Sequence, residues 1–139
     1  MERGSMILDA SVVAKWFLDE EGTEKALEIR EKYFQDEFDI SVPDLLIYEI
    51  ANTLKYSNFS SSEIDRAIST IYSMDLFLVD PSQLIMRRAS EIALNKDVSI
   101  YDATYVALAH RLSTKLITAD EPLYRKTKDS YDVKYLLDR

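Results

Sequence analysis

The chain predicts a three-layer α/β/α sandwich built on a parallel sheet, and two patterns carry that expectation. Five short apolar runs, MILDA (6–10), DISV (39–42), LFLV (76–79), KLIT (115–118) and VKYLL (133–137), are separated by segments of helical periodicity. Each run is almost wholly apolar instead of alternating apolar with polar, the mark of strands covered on both faces. Only two glycines and three prolines interrupt the 139 residues. With no polar linker and no internal repeat, the connections are short and the chain reads as one domain.

The elements follow in order. MERGS (1–5) reads as an added leader ahead of a second start at Met6, which leaves 6–139 as the domain. After the first strand, SVVAKWFL (11–18) has a helical pattern. TEKALEIREKYFQ (23–35) places Ala26, Leu27, Ile29 and Tyr33/Phe34 at near-helical spacing. PDLLIYEIANTLKYS (43–57) starts on a proline suited to a first helical turn. Ser60 and Glu63 form an S-x-x-E capping box that opens a helix to about Met74. Ser82 caps a helix that reaches about Asn95, and a short turn is expected at Glu121–Tyr124. The last long helix is SIYDATYVALAHRL (99–112), where Ser99 and Asp102 repeat the capping-box spacing.

Composition removes several classes of function. There is no cysteine, hence no disulfide framework and no thiolate metal site. No run approaches the ~18 apolar residues of a membrane span, and no signal peptide is visible, so a cytoplasmic address with no membrane partner is expected. Lys and Arg number 17 against 25 Asp and Glu, a net charge of −8 that argues against a broad basic nucleic-acid surface. Bound divalent cations would invert the field of an acidic cleft. Local clusters drawn from Lys15, Arg87, Arg88, Arg125, Lys126 and Lys128 remain open, although each also reads as an ordinary solvated charge.

In open α/β sheets ligands gather at the carboxyl ends of the strands, where the strand order reverses. Asp9 closes the first apolar run, with Ser11 two residues on; Asp120 closes the fourth, with Thr118 two residues before. A reversal between those two strands would make the aspartates neighbours. Simple helix capping explains each of them equally well when taken singly. Glu49 falls in mid-helix with Asn52 and Thr53 at i+3 and i+4, a polar patch that also reads as a solvent face, although Leu45 and Leu46 flank it. Asp102 shares a stripe with Tyr105, Val106 and Ala109, which turns it toward the packed side of its helix. Four carboxylates converging at one edge require compensation, and hard divalent cations bound by oxygen supply it. Two such ions about 3.5–4 Å apart can activate water and stabilise a leaving oxygen in phosphodiester cleavage. The single histidine, His110, sits late in its helix and reads as structural or exposed.

Taken together these residues resemble the PIN-domain ribonucleases, and within them the VapC-type toxins of prokaryotic toxin–antitoxin pairs. The likeness runs over nearly the whole chain from Met6, through MILDAS, YEIANTL, YDATYVALA and LITAD. It matches the family's first acid to Asp9, the glutamate of its E-x-x-N helix to Glu49 with Asn52, the acid of its D-A-x-x-x-A-L-A helix to Asp102, and its T-x-D pair to Thr118 and Asp120. Ser11 corresponds to a small hydroxyl residue that supports the metal site. The resemblance implies a five-stranded sheet in the order 3-2-1-4-5, dependence on Mg²⁺ or Mn²⁺, and endonucleolytic cleavage of RNA. It also implies a cognate antitoxin and a homodimer. No zinc-ligand module is present, which makes the ribosomal-RNA-processing relatives a poorer match.

The expected mechanism has Asp9, Glu49, Asp102 and Asp120 holding one or two cations, directly or through water. Ser11, Asn52 and Thr118 orient carboxylates or water, and Lys15 or Arg125 contacts a substrate phosphate. The rivals are a PIN-like nuclease of RNA processing outside a toxin–antitoxin pair and a non-catalytic α/β phosphate-binding or signalling domain. A dehalogenase-like phosphatase would need D-x-D where Ser11 stands. A receiver-type domain would use Asp80 after the third run, but Asp9 lacks the adjacent acid usual there.

Overall fold

The protein is described by a computed structural model covering residues 3–138. Five strands, β1 (Gly4–Leu8), β2 (Phe38–Pro43), β3 (Phe77–Val79), β4 (Lys115–Thr118) and β5 (Val133–Tyr135), form one sheet in the order β3-β2-β1-β4-β5. All four neighbouring pairs are parallel. Successive strand residues face opposite sides of a sheet. Met6, Ile7 and Leu8 are all buried, so helices cover both faces of β1. The α/β/α sandwich and the strand order are therefore as expected.

Coverage thins at one edge. Phe77 and Leu78 of β3 are exposed, because β3 is a three-residue edge strand with a neighbour on one side only. The central strand β1 starts two residues early, with Gly4 opposite Phe38 and Ser5 opposite Asp39. Two residues of the expected leader thus join the sheet, since a ladder needs only backbone groups. Arg3 adds contacts to Asp36 at 3.0 Å and Asp39 at 2.6 Å. Met1 and Glu2 of that leader lie outside the described residues.

The helices are α1 (Ala10–Val13), α2 (Thr23–Phe34), α3 (Leu45–Tyr56), α4 (Ser61–Ser73), α5 (Gln83–Lys96), α6 (Ile100–Arg111) and α7 (Glu121–Thr127). The Ser60 capping box closes in both directions, and Ser82 and Ser99 cap α5 and α6 with their hydroxyls. Three boundaries differ from expectation. The helix expected over 11–18 is α1 followed by a tight 3₁₀ turn, Ala14–Trp16. Pro43 ends β2 instead of opening α3; it forfeits one N–H, and Asp44 donates the next bond to the Val79 carbonyl at 3.1 Å. The expected turn at 121–124 is the full helix α7, with Pro122 in its first turn.

Buried Ile7, Leu8, Ile40, Leu46, Ile50, Leu54, Leu108 and Leu116 join sheet and helices in one core. Helix α6 departs most from its sequence pattern. Every residue from Ala103 to Ala109 is buried, so the helix is enclosed on nearly all sides instead of along one stripe. It lies against β1, β2, β4 and α5, and its alanines permit that close approach. This enclosure carries Asp102, in the first turn of α6, to the sheet edge where β1 and β4 end.

Candidate active site

Strand β1 releases the chain at Leu8, and Asp9 follows at once as the N-cap of α1, accepting from the Val12 N–H at 3.3 Å. Two hydroxyls hold the rest of its carboxylate. Ser11 Oγ donates to Asp9 Oδ1 at 2.5 Å, and Thr118 Oγ1, at the end of β4, donates to Asp9 Oδ2 at 2.5 Å. Each hydroxyl has one proton, so both accept elsewhere: Ser11 from the Ala119 N–H at 2.8 Å and Thr118 from the Asp120 N–H at 3.0 Å. The network sews the end of β1 to the end of β4, the point where the strand order reverses. Asp120 itself caps α7, accepting from the Leu123 N–H at 3.1 Å. The capping reading of both strand-end acids is thus correct, and it coexists with their convergence.

Asp9 is only 4% exposed. Burial pushes its carboxyl up to about 7; the Ser11, Thr118 and Val12 bonds pull it down, and the Asp102 charge pushes it further up. The helix-borne acids behave alike. Glu49, half-buried in mid-α3, is raised by burial, then eased by a hydrogen bond from Tyr105, then raised again by Asp102. Asp102 is raised by burial and by the Asp120 charge, with Ser99 partly offsetting both. Asp102 is the hub: Asp9, Glu49 and Asp120 each couple to it.

The four predicted acids therefore share one electrostatic field but are not clenched together. Among the described residues no three acidic or histidine side chains stand at ready-made metal-ligand spacing. Nor, among the described residues, does a Lys or Arg form an ion pair with any of the four. Lys15 is buried and paired with Glu20 at 3.1 Å, and Arg125 is paired with Glu121 at 2.7 Å, so both expected phosphate contacts are engaged elsewhere. The donor set is all oxygen and its charge is uncompensated, which suits a hard divalent ion that keeps several waters.

Other candidates fall outside the cluster. Asn52 is exposed on α3 and bonds none of the four acids. Lys126 donates to the Asp97 carbonyl at 2.8 Å, Lys128 lies over the Tyr124 ring, and Arg87 and Arg88 are exposed on α5. His110 is exposed, edge-on to Tyr131. The residue that sequence reasoning passed over is Tyr105, whose hydroxyl donates to Glu49 Oε1 at 2.6 Å. Its spacing from Asp102 was visible; that a buried tyrosine on an apolar helix needs a polar partner was the available signal.

A family model described as PIN domain matches residues 6–129. Ribonuclease VapC3 of Pyrobaculum aerophilum is 31% identical over 126 residues, spanning 87% of this chain and 93% of that protein. Exonuclease VapC9 of the same organism is 26% identical over 113 residues, spanning 78% of this chain and 83% of its own length. Among solved structures, a toxin–antitoxin complex from Klebsiella pneumoniae superposes with a TM-score of 0.73 at 15% identity, covering 96% of this chain and 99% of that one.

Proposed function

The chain belongs to the PIN domain family and to its VapC-type members, and from that premise we propose that it is a divalent-metal-dependent endoribonuclease, the toxin of a toxin–antitoxin pair. The observation that carries the reading is Asp9: a buried carboxylate held by Ser11 and Thr118 at the switch point and coupled to Asp102, which in turn couples to Glu49 and Asp120. Asp9, Glu49, Asp102 and Asp120 are the residues that hold Mg²⁺ or Mn²⁺. When bound, such an ion supplies Lewis-acid polarisation of the phosphodiester and activation of water. Ser11 and Thr118 fix both oxygens of Asp9 from behind, so the carboxylate needs no reorganisation on binding. The α6 N-terminus favours the ionised form of Asp102, which a metal ligand must adopt.

Hydrolysis of single-stranded RNA is the reaction expected. Two modes are testable, because one relative is named a ribonuclease and the other an exonuclease. A covalently closed RNA circle decides between them: linearisation and internal fragments in Mn²⁺ support the endonuclease, and an intact circle beside a digested linear strand overturns it. The same assay with single-stranded DNA, with chelator, and with Asp9→Asn separates the activity from a contaminant. The proposed partners are a cognate antitoxin and a second copy of the chain. An apolar cleft lined by Leu45, Tyr48, Val79, Ile100 and Tyr101 supports a protein partner. No helix among the described residues is long and apolar enough to cross a membrane, in keeping with a proposed cytoplasmic address.

A further inference from the structure

Tyr105 is 1% exposed, in the middle of α6, and its hydroxyl finds one partner, Glu49 Oε1, at 2.6 Å. We propose that Tyr105 is a positioning residue: its phenol fixes the Glu49 carboxylate of α3 relative to the α6 turn that carries Asp102, leaving the second Glu49 oxygen free for the cation. This rests on the metal-site reading above and adds to it a residue outside the acidic set.

Three features support the assignment. Tyr105 lies one helical turn after Asp102, so the bond couples the two helix-borne acids through a rigid element. A buried phenol could be satisfied by a neutral backbone carbonyl; drawing a carboxylate into a half-buried site is the costlier choice unless the place of that carboxylate matters. Among the described residues no other side chain or backbone group hydrogen-bonds the Glu49 carboxylate, whereas Asp9 has Ser11, Thr118 and Val12. The phenol's partner being an acid, the bond is charge-assisted and short.

The alternative is a bare tether between α3 and α6, which would affect stability and nothing else. Calorimetric titration of Mn²⁺ into the wild type, Tyr105→Phe, Glu49→Ala and the double variant separates the two. Phenylalanine keeps the buried ring, and circular dichroism and thermal unfolding without metal monitor the fold. Tyr105→Phe is expected to weaken Mn²⁺ binding by about tenfold, the lower end for loss of a partner that orients a ligand. In the Glu49→Ala background the same change is expected to do nothing further. Wild-type affinity in Tyr105→Phe, or an undiminished loss on top of Glu49→Ala, overturns the role while leaving the metal site standing. A wild-type protein that binds no Mn²⁺ overturns both. If Tyr105→Phe does not fold, Tyr105→Met serves in its place with the same two outcomes.

Discussion

Asp9 and Asp102 lie in one electrostatic cluster but are built differently. Asp9 follows directly from a strand, is almost fully buried, and accepts from two hydroxyls and a backbone N–H. Asp102 rides on the first turn of α6, is half-exposed, and feels chiefly burial and the charge of another acid. Glu49 resembles Asp102, with one tie to Tyr105. The strand side is finished before any ligand arrives. The helix side carries fewer ties, Tyr105 on Glu49 and Ser99 on Asp102. A site made this way has one rigid anchor and adjustable walls.

The largest effect expected is on the anchor. Asp9→Asn should lower cleavage about a thousandfold or more, the several kcal/mol that metal assistance supplies. An amide at 9 also points an N–H₂ donor at Ser11 or Thr118, whose protons already face that position. Asp102→Asn should abolish cleavage as well, with the Ser11–Asp9–Thr118 network intact. Both variants should fold, as checked by thermal unfolding, and full activity in both would remove these acids from the site.

The anchor also predicts a pH dependence of opposite sign to that of most carboxylates. Its pKa is about 7 in the folded chain against 3.8 for the ordinary group. Below the lower value both states are protonated and its contribution to stability is complete. Between the two the folded state holds a proton the unfolded state has lost, so stability falls as pH rises through about 7, by at most about 4 kcal/mol. Denaturant midpoints in chelator should drop from pH 5 to pH 8, and Asp9→Asn should flatten that drop. Saturating Mn²⁺ should restore stability at pH 8 by mass action. A metal-free midpoint that rises with pH in the wild type contradicts the burial assigned to Asp9.

Removing one hydroxyl is a smaller step. Thr118→Val keeps the shape and deletes both the bond to Asp9 and the acceptor for the Asp120 N–H. A loss of about 1–3 kcal/mol in stability is expected for buried groups left without partners. Metal affinity should weaken by about tenfold. Equal damage from Thr118→Ser, which retains the hydroxyl, would assign the effect to packing instead.

The sequence disclosed the strand side more fully than the helix side, for physical reasons. Apolar runs ending in Asp9 and Asp120 mark both a strand and its carboxyl end, and the nearby Ser11 and Thr118 are local in sequence to those ends. Helix starts were equally legible, because Ser60, Ser82 and Ser99 cap with their own side chains. The ends of the five long helices also fell within one residue of where the apolar spacing put them, although no glycine marks them. Asp36, Asn58, Asp75, Asp97 and Ser113 take the left-handed conformation after the five long helices, so the usual glycine stop signal is missing. The Tyr105–Glu49 bond spans 56 residues and two helices, and no local pattern encodes it. The full enclosure of α6 was hidden too: the sequence marks one packed stripe through Tyr105, Val106 and Ala109, and only the sheet and α5 show that every residue from Ala103 to Ala109 is buried.

Asn52 is where likeness and geometry part, and it gives the smallest expected effect. The E-x-x-N pattern assigns it a supporting role beside Glu49, yet its side chain is exposed and reaches none of the four acids. Read from the structure, Asn52→Ala is an ordinary surface substitution, within about 0.5 kcal/mol, or roughly twofold in rate or Mn²⁺ affinity. A tenfold loss would mean that Asn52 swings inward when ligand binds. The adjustable wall would then extend a full turn along α3 beyond Glu49, and the contrast with the anchored strand side would sharpen. Parallel Mn²⁺ titrations of Asn52→Ala and Tyr105→Phe make the measurement, since the structure ties only the second residue to Glu49.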